Sequence, residues 1–303
     1  MDEYFKVYPF LESFYHLSPY STPFLTRNFE YFKSNQGAND KSLPSYFHGK
    51  IEVCTRGTEA ICLALESLEL EENDEVFIRT SSGGKYVSSC VTSSIEKFCK
   101  WSFEETKNTR AVFLIHEFGY FCDMPKLELH RSLPIIEDCA YAFPSEYRSD
   151  FGKTGDFVIY SFPKAFPVNF GGLLEVRNKK YTIGNSEIDK QLKKMIVCLV
   201  EEYIQSIEEF QKRRLKNYSF LESSCKRIGL RPYFDLTERD LPSAFVFRED
   251  SQEKAIALKK HLTGVGIECS VFYQNNGFFI PNHQELTDVD LAYFMHHLGE
   301  FYA

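Results

Sequence analysis

Lys164 stands between Pro163 and Pro167 in the stretch VIYSFPKAFPVNFGGLLEV, where a plain strand-to-strand connection calls for neither the prolines nor the cation. Proline fixes φ and removes a backbone donor, so the loop has little freedom. A lone lysine beside prolines ordinarily reads as a solvated loop residue; the alternative is an amine held in one place for chemistry. Two other segments end strand-like runs in the same fashion. Glu137 and Asp138 close LPIIEDCA, where an Asp acts either as a helix cap or as a functional carboxylate. Gly57 and Thr58 follow Val53 and open an apolar helical pattern; such a start offers free N–H groups and a hydroxyl to a phosphate, or simply caps a helix. Each feature alone is weak, and their joint order along the chain gives them weight.

The elements that must position these groups are readable from periodicity. IEVCTRGTEAICLALESLEL predicts a short strand, a Gly-Thr turn and a helix, NDEVFIRTS a buried strand, and GKYVSSCVTSSIEKF a helix. RAVFLIHEFG, LPIIEDCA, GDFVIYSF and GGLLEV are further runs of strand length. Strands alternating with helices argue for an α/β domain with a mostly parallel sheet, in which ligands bind at the carboxyl ends of the strands. Beyond residue 188 the texture changes to a long, charged helical stretch that reads as one helix or two. A smaller α+β unit comes next: SAFVFRED as a strand, a helix opened by Ser251, IECSVFY as a strand, and a last helix from Thr287 toward Tyr302. The expected organisation is an N-terminal arm over 1–45, a large α/β domain over 46–188, and a long helix with a small C-terminal α+β domain over 189–303.

Composition removes several classes of function. The 303 residues carry a formal charge of −8 with no basic block, which argues against nucleic acid as a partner. No apolar run approaches a membrane span and the start lacks a signal-peptide pattern, so a cytoplasmic protein is expected. The nine cysteines include no C-x2-C pair and no close Cys/His cluster; they read as small buried hydrophobes, and no metal is expected.

Taken together, four segments resemble the pyridoxal-phosphate sugar aminotransferases of the DegT/DnrJ/EryC1/StrS family, of the aspartate-aminotransferase-like fold type I. TRGTEAICLAL is similar to that family's S-G-T-A-A-L, HEFGYFCDMP to H-x-x-G-x-x-x-D-M, PIIEDCAYAF to P-V-I-E-D-A-A-Q, and GDFVIYSFPKAFPVNFGG to its G-D…S-F…K…GG stretch. The resemblance runs from about Ile51 to Val176 and resumes more faintly from Pro242. It implies a pyridoxal 5'-phosphate cofactor with Lys164, seven residues before Gly171, as the Schiff-base lysine. By the same resemblance Asp138 partners the pyridine nitrogen and keeps it protonated, and Gly57, Thr58 and Ser161 bind the phosphate. Tyr141 takes the place where the sugar enzymes carry Gln or His, and resembles the Tyr that hydrogen-bonds O3′ in aspartate-type enzymes. The implied reaction moves an amino group from an amino acid, with glutamate as the expected donor, to a nucleotide-linked keto-sugar at a homodimer interface.

The chain departs from the family pattern in four places. Arg56 replaces the Ser before the Gly-Thr. The stacking aromatic expected after the VFI strand gives way to Gly83-Gly84, with Tyr86 as a substitute. The segment lending an Asn to the neighbouring subunit is not recognisable, leaving Asn185 as a candidate. The fourth is length: the chain is short between GIECSVFY and FFIPNHQELT. Two rival readings stand beside transamination. Sugar dehydration is disfavoured because the family's dehydratases replace the lysine with His. A catalytically idle binding or scaffold protein is disfavoured because packing alone needs none of Lys164, Asp138 and Tyr141.

Overall fold

The computed structural model of the chain describes residues 14–35, 43, 47–129, 132–143, 145 and 150–303. Much of the expected N-terminal arm, residues 1–13, 36–42 and 44–45, lies outside the described residues. Within it, helix α1 spans Thr22–Ser34, and Tyr15 pairs with Ile267 of the C-terminal part. The chain then forms β1 (Lys50–Cys54), α2 (Gly57–Glu66), β2 (Glu75–Thr80), α3 (Ser89–Ile95), β3 (Lys100–Ser102) and β4 (Thr109–Ile115). Next in order are β5 (Ile135–Asp138), β6 (Phe157–Ser161), the single turn α4 (Phe162–Ala165) and β7 (Gly172–Val176).

These seven strands make one sheet in the order β1-β7-β6-β5-β4-β2-β3. The pairs β2/β3, β2/β4, β4/β5 and β5/β6 are parallel, and β7 runs antiparallel to both β1 and β6. A parallel sheet is covered on both faces, which is why its strands read as unbroken apolar runs. On one face Ala60, Ile61, Ala64 and Leu65 of α2 pack with Phe113, Ile136 and Ile159. On the other, Tyr160, Phe162 and Phe166 pack against Ile196, Leu199, Tyr203 and Ile204.

The charged stretch after residue 188 is two helices, α5 (Lys190–Ile204) and α6 (Ile207–Arg227). Asp189 caps α5, accepting from the N–H groups of Gln191 and Leu192. β8 (Ala244–Arg248), α7 (Gln252–Gly264), β9 (Ser270–Phe272), β10 (Gly277–Pro281) and α8 (Asp288–Tyr302) complete the fold. The second sheet is antiparallel in the order β8-β10-β9. α8 opens with a reciprocal cap: Thr287 Oγ1 accepts from Asp290 N–H, and the Asp290 carboxylate accepts from Thr287 N–H. Among the described residues no helix is long and apolar enough to cross a membrane. Seven of the nine cysteines are buried, and burial pushes thiols such as Cys54, Cys122 and Cys225 up to about 12.

Gly172 is the point where the sheet is drawn together. It pairs with both Cys54 and Ser161. A Cβ placed on it would lie 2.5 Å from the carbonyl carbon of Arg56 and 2.7 Å from the nitrogen of Gly57, both of them backbone atoms. A Cβ on Gly57 would instead meet Ser161 Cβ at 3.5 Å, an ordinary contact. Gly172→Ala is therefore expected to cost about 1–3 kcal/mol by overpacking, and Gly57→Ala to leave stability within about 1 kcal/mol. Urea unfolding of the two variants checks the contrast, and equal losses would contradict it.

Candidate active site

The carboxyl ends of β5 and β6 carry the residues singled out by the sequence. Ser161 is the last residue of β6, and the chain turns at once into α4, where Phe166 N–H donates to Phe162 C=O at 2.8 Å. Pro163 is tolerated there because the first turn of a helix needs no N–H donor. One helical turn places Lys164 near Ser161, with its Nζ 3.8 Å from the centroid of the Tyr141 ring. Asp138 ends β5 and is buried. Burial raises its carboxyl above the ordinary range, and the Lys164 charge and the Ala140 N–H oppose that rise. Asp138 Oδ1 accepts the Ala140 N–H at 2.8 Å, while its second oxygen takes no hydrogen bond from any described residue.

Gly57 and Thr58 are the first residues of α2. Their N–H groups have no acceptor within the helix, as at any helix start. Thr55 sits just outside, its N–H and hydroxyl both bonded at 2.7 Å to Glu59 of the first turn. Because β1 and β6 both border β7, Ser161 lies beside Gly57: its Oγ is 3.8 Å from the position a Gly57 Cβ would take. Two N–H groups and a hydroxyl thus stand side by side, while Lys164 touches the Tyr141 ring and its charge reaches Asp138.

This donor set fits pyridoxal phosphate. Gly57, Thr58 and Ser161 would hold its phosphate, the free oxygen of Asp138 its pyridine nitrogen, and Lys164 its aldehyde carbon. Arg56 is exposed and its side chain caps nothing. Asn185 is exposed, next to Ser186, whose hydroxyl donates to Glu52 at 2.6 Å. Tyr86 packs on the second sheet, against Phe272 and Tyr273 at 5.9 and 5.8 Å between ring centroids.

Sequence reasoning attaches no role to His116 and Glu137, which form the buried support beneath the site. His116 Nδ1 accepts the Cys122 N–H at 2.9 Å, which assigns the ring proton to Nε2, and Nε2 lies 2.9 Å from Glu137 Oε1. Glu137 also accepts from Gly152, Thr154 and Gly155 N–H at 2.7, 2.9 and 2.7 Å. Burial alone would raise this carboxyl, but the His116 bond and the backbone donors outweigh it and the net shift is downward. The set His116, Glu137 and Cys139 is thereby satisfied internally. His261, His297 and Glu300 also cluster, with His261 Nε2 bonded to the His297 carbonyl and His297 Nδ1 to Glu300.

The Streptococcus pneumoniae protein Spr1654, described as a sugar aminotransferase and solved in its PMP form, aligns over 97% of this chain and 98% of its own with a TM-score of 0.71 and 14% identity. Its PLP form gives a TM-score of 0.67. A DegT DnrJ EryC1 StrS aminotransferase from Brucella abortus aligns over 93% of this chain and 96% of its own, with a TM-score of 0.69 and 13% identity. The architecture is that of the type I pyridoxal-phosphate-dependent transferases. Residues 104–181 match the model of the DegT/DnrJ/EryC1/StrS aminotransferase family, so this stretch of the chain is similar to that family. A GDP-perosamine synthase of Escherichia coli O157:H7 is 31% identical over 144 residues, a match that spans 41% of this chain and 40% of that relative, less than half of either.

Glu117 borders the turn after β2 that holds Gly83 and Gly84. It is buried after β4 and accepts the Ser82 N–H at 2.7 Å, and burial pushes its carboxyl up to about 7 against the opposing hydrogen bonds. A raised folded-state value means that the native protein binds this proton more tightly than the unfolded chain does. Its contribution to stability is therefore largest at low pH and falls as pH rises from the ordinary 4.5 toward about 7. The fall amounts to up to about 3 kcal/mol. Glu117→Gln keeps the acceptor and removes the titration. Unfolding free energies at pH 5 and pH 8 are expected to shift in favour of the variant by roughly 2–3 kcal/mol at the higher pH; a pH-independent difference would contradict the assignment.

Proposed function

We propose that the chain is a pyridoxal-phosphate-dependent aminotransferase that moves an amino group from an amino acid, glutamate being the expected donor, to the keto carbon of a nucleotide-linked sugar. The reading includes a homodimer working in the cytoplasm and supplying amino sugars for polysaccharide or related biosynthesis. The observation that carries it is the convergence of an amine, a buried carboxylate with one free oxygen, and a Gly-Thr/Ser cup at neighbouring strand ends. The E. coli relative's name, GDP-perosamine synthase, supports a nucleotide-linked sugar as the acceptor.

When bound, pyridoxal phosphate supplies an electron sink for the carbanion left as the donor loses its Cα proton. The residues of the chain do the rest. Lys164 would provide the attachment point for the cofactor and, when free, would carry the proton. Asp138, whose burial disfavours its own charge, is stabilised as a carboxylate by a cation placed against its free oxygen. Tyr141 would donate its phenol to O3′, beside the lysine it already touches. The idle scaffold is the competing reading; Tyr86 packs on Phe272 and Tyr273 and also lies near enough to Tyr141 to interact electrostatically with it.

One experiment separates the two. The purified protein is incubated with pyridoxal phosphate, its visible absorbance recorded, and the mixture reduced with borohydride for peptide mass mapping. The expected result is a visible band and a single reduced adduct on Lys164, both lost in Lys164→Ala. No band, or adducts scattered over surface lysines, would establish the idle scaffold. Asp138→Asn should still form the adduct while amino transfer falls on the order of 10²-fold or more, as when one preorganised electrostatic partner is removed; full retention of transfer would remove Asp138 from the site.

A further inference from the structure

The single turn that carries Lys164 leaves carbonyl groups that its own backbone does not satisfy. The last C=O groups of any helix lack intrahelical partners, and here the chain is extended at Phe166 and reaches Pro167, which has no N–H. Side chains from remote segments take up these oxygens. Arg214 of α6 is 3% exposed, and its Nη2 donates to the carbonyls of both Lys164 and Ala165, at 2.9 and 3.0 Å. Its Nε donates to Gln284 Oε1 at 2.8 Å, and Gln284 Nε2 donates in turn to the Ala165 carbonyl at 3.0 Å. Asn28 of α1 donates to the Pro167 carbonyl at 2.9 Å.

A guanidinium is an expensive group to bury, and no carboxylate hydrogen-bonds to this one among the described residues. Burial lowers its affinity for the proton to about 10, an effect that the nearby Glu285 partly opposes. A neutral cap would satisfy the same carbonyls at smaller cost. What the guanidinium adds is rigid, planar, multiple donation, which holds two successive peptide groups in one orientation.

We infer that Arg214, braced by Gln284, is the positioning residue of the lysine: it fixes the main chain of Lys164 and Ala165 so that the amine stands where the covalent link to the cofactor is made and remade. The inference rests on the cofactor reading above. A displacement of about 1 Å at a reacting group is enough to cost on the order of 10²-fold, so loosening this clamp should act on the covalent step ahead of simple binding.

The test exploits a pair of ligands. Pyridoxamine phosphate shares the ring and phosphate of pyridoxal phosphate but forms no link to a lysine. Affinity for it reports the cup and the carboxylate, and the rate of borohydride-trappable capture of pyridoxal phosphate on Lys164 reports the amine. Arg214→Lys keeps the buried charge but not the fork, and Gln284→Met removes the brace while leaving Arg214 on its two carbonyls. The expectation is that pyridoxamine phosphate affinity stays within about threefold in both variants. Capture should slow by about 10- to 100-fold in Arg214→Lys and by about 3- to 10-fold in Gln284→Met. A merely structural cap would lower the melting temperature and shift both ligands equally, or shift neither, and either pattern overturns the inference. If Arg214→Lys does not fold, the split in Gln284→Met alone decides, its absence counting against the proposal. If the unaltered protein takes up neither ligand, the cofactor reading itself fails and this inference falls with it.

Discussion

The turn after β6 is too short to satisfy its own backbone, and the surroundings of the site are organised around that deficit. A longer helix would bond the carbonyls of Lys164 and Ala165 internally and carry the lysine away from the strand end. The one-turn version keeps Lys164 close to Ser161 and over Tyr141, at the cost of oxygens that need outside donors. Those donors come from Asn28, Arg214 and Gln284, which lie on α1, on α6 and just after β10. Segments far apart in sequence are tied to the lysine by hydrogen bonds to main chain, and each of the three side chains is itself buried.

The two carboxylates that end β5 show how one strand serves two purposes. Successive side chains on a strand face opposite ways. Glu137 is directed into a fully bonded nest of three backbone N–H groups and His116, and there its charge is stabilised. Asp138 keeps an oxygen without a partner among the described residues, and there its charge is penalised. A buried carboxylate in the first setting builds structure, since it organises the backbone of residues 152–155. In the second, burial raises the carboxyl and the charge of Lys164 only partly offsets it, the mark of a group set for chemistry and not for packing.

Most of the fold is legible in the sequence because the large sheet announces itself as apolar runs ending in polar residues, and because Gly57, Ser251 and Thr287 mark helix starts in their ordinary ways. The small sheet is legible only in part. β10 lies in FFIPNHQELT, where Asn282, His283 and Gln284 are all buried although their types suggest a surface loop. Arg214 is hidden for a related reason. The buried side of α6 runs Ile207, Gln211, Arg214, Tyr218, Leu221 and Cys225, a helical stripe at the right spacing with polar residues set into it. Polarity argues for solvent while position argues for the interior. A polar residue holding its place in a buried stripe is the signal that points to the clamp.

The tight turn of the small sheet bears on the same point. β9 and β10 are joined by the tight connection Tyr273–Asn276, in which Gln274 and Asn276 both adopt positive φ, 62° and 48°. Such backbone is unfavourable for side chains larger than Asn, and it persists here because the sheet on either side over-determines it. Asn282 bonds to the Pro242 carbonyl, and His283, which burial lowers to about 3 and keeps neutral, bonds to the His16 carbonyl. Those anchors hold Gln284 in register with Arg214. Asn282 and His283 thus fix the segment from which Gln284 reaches back to the main chain beside the lysine.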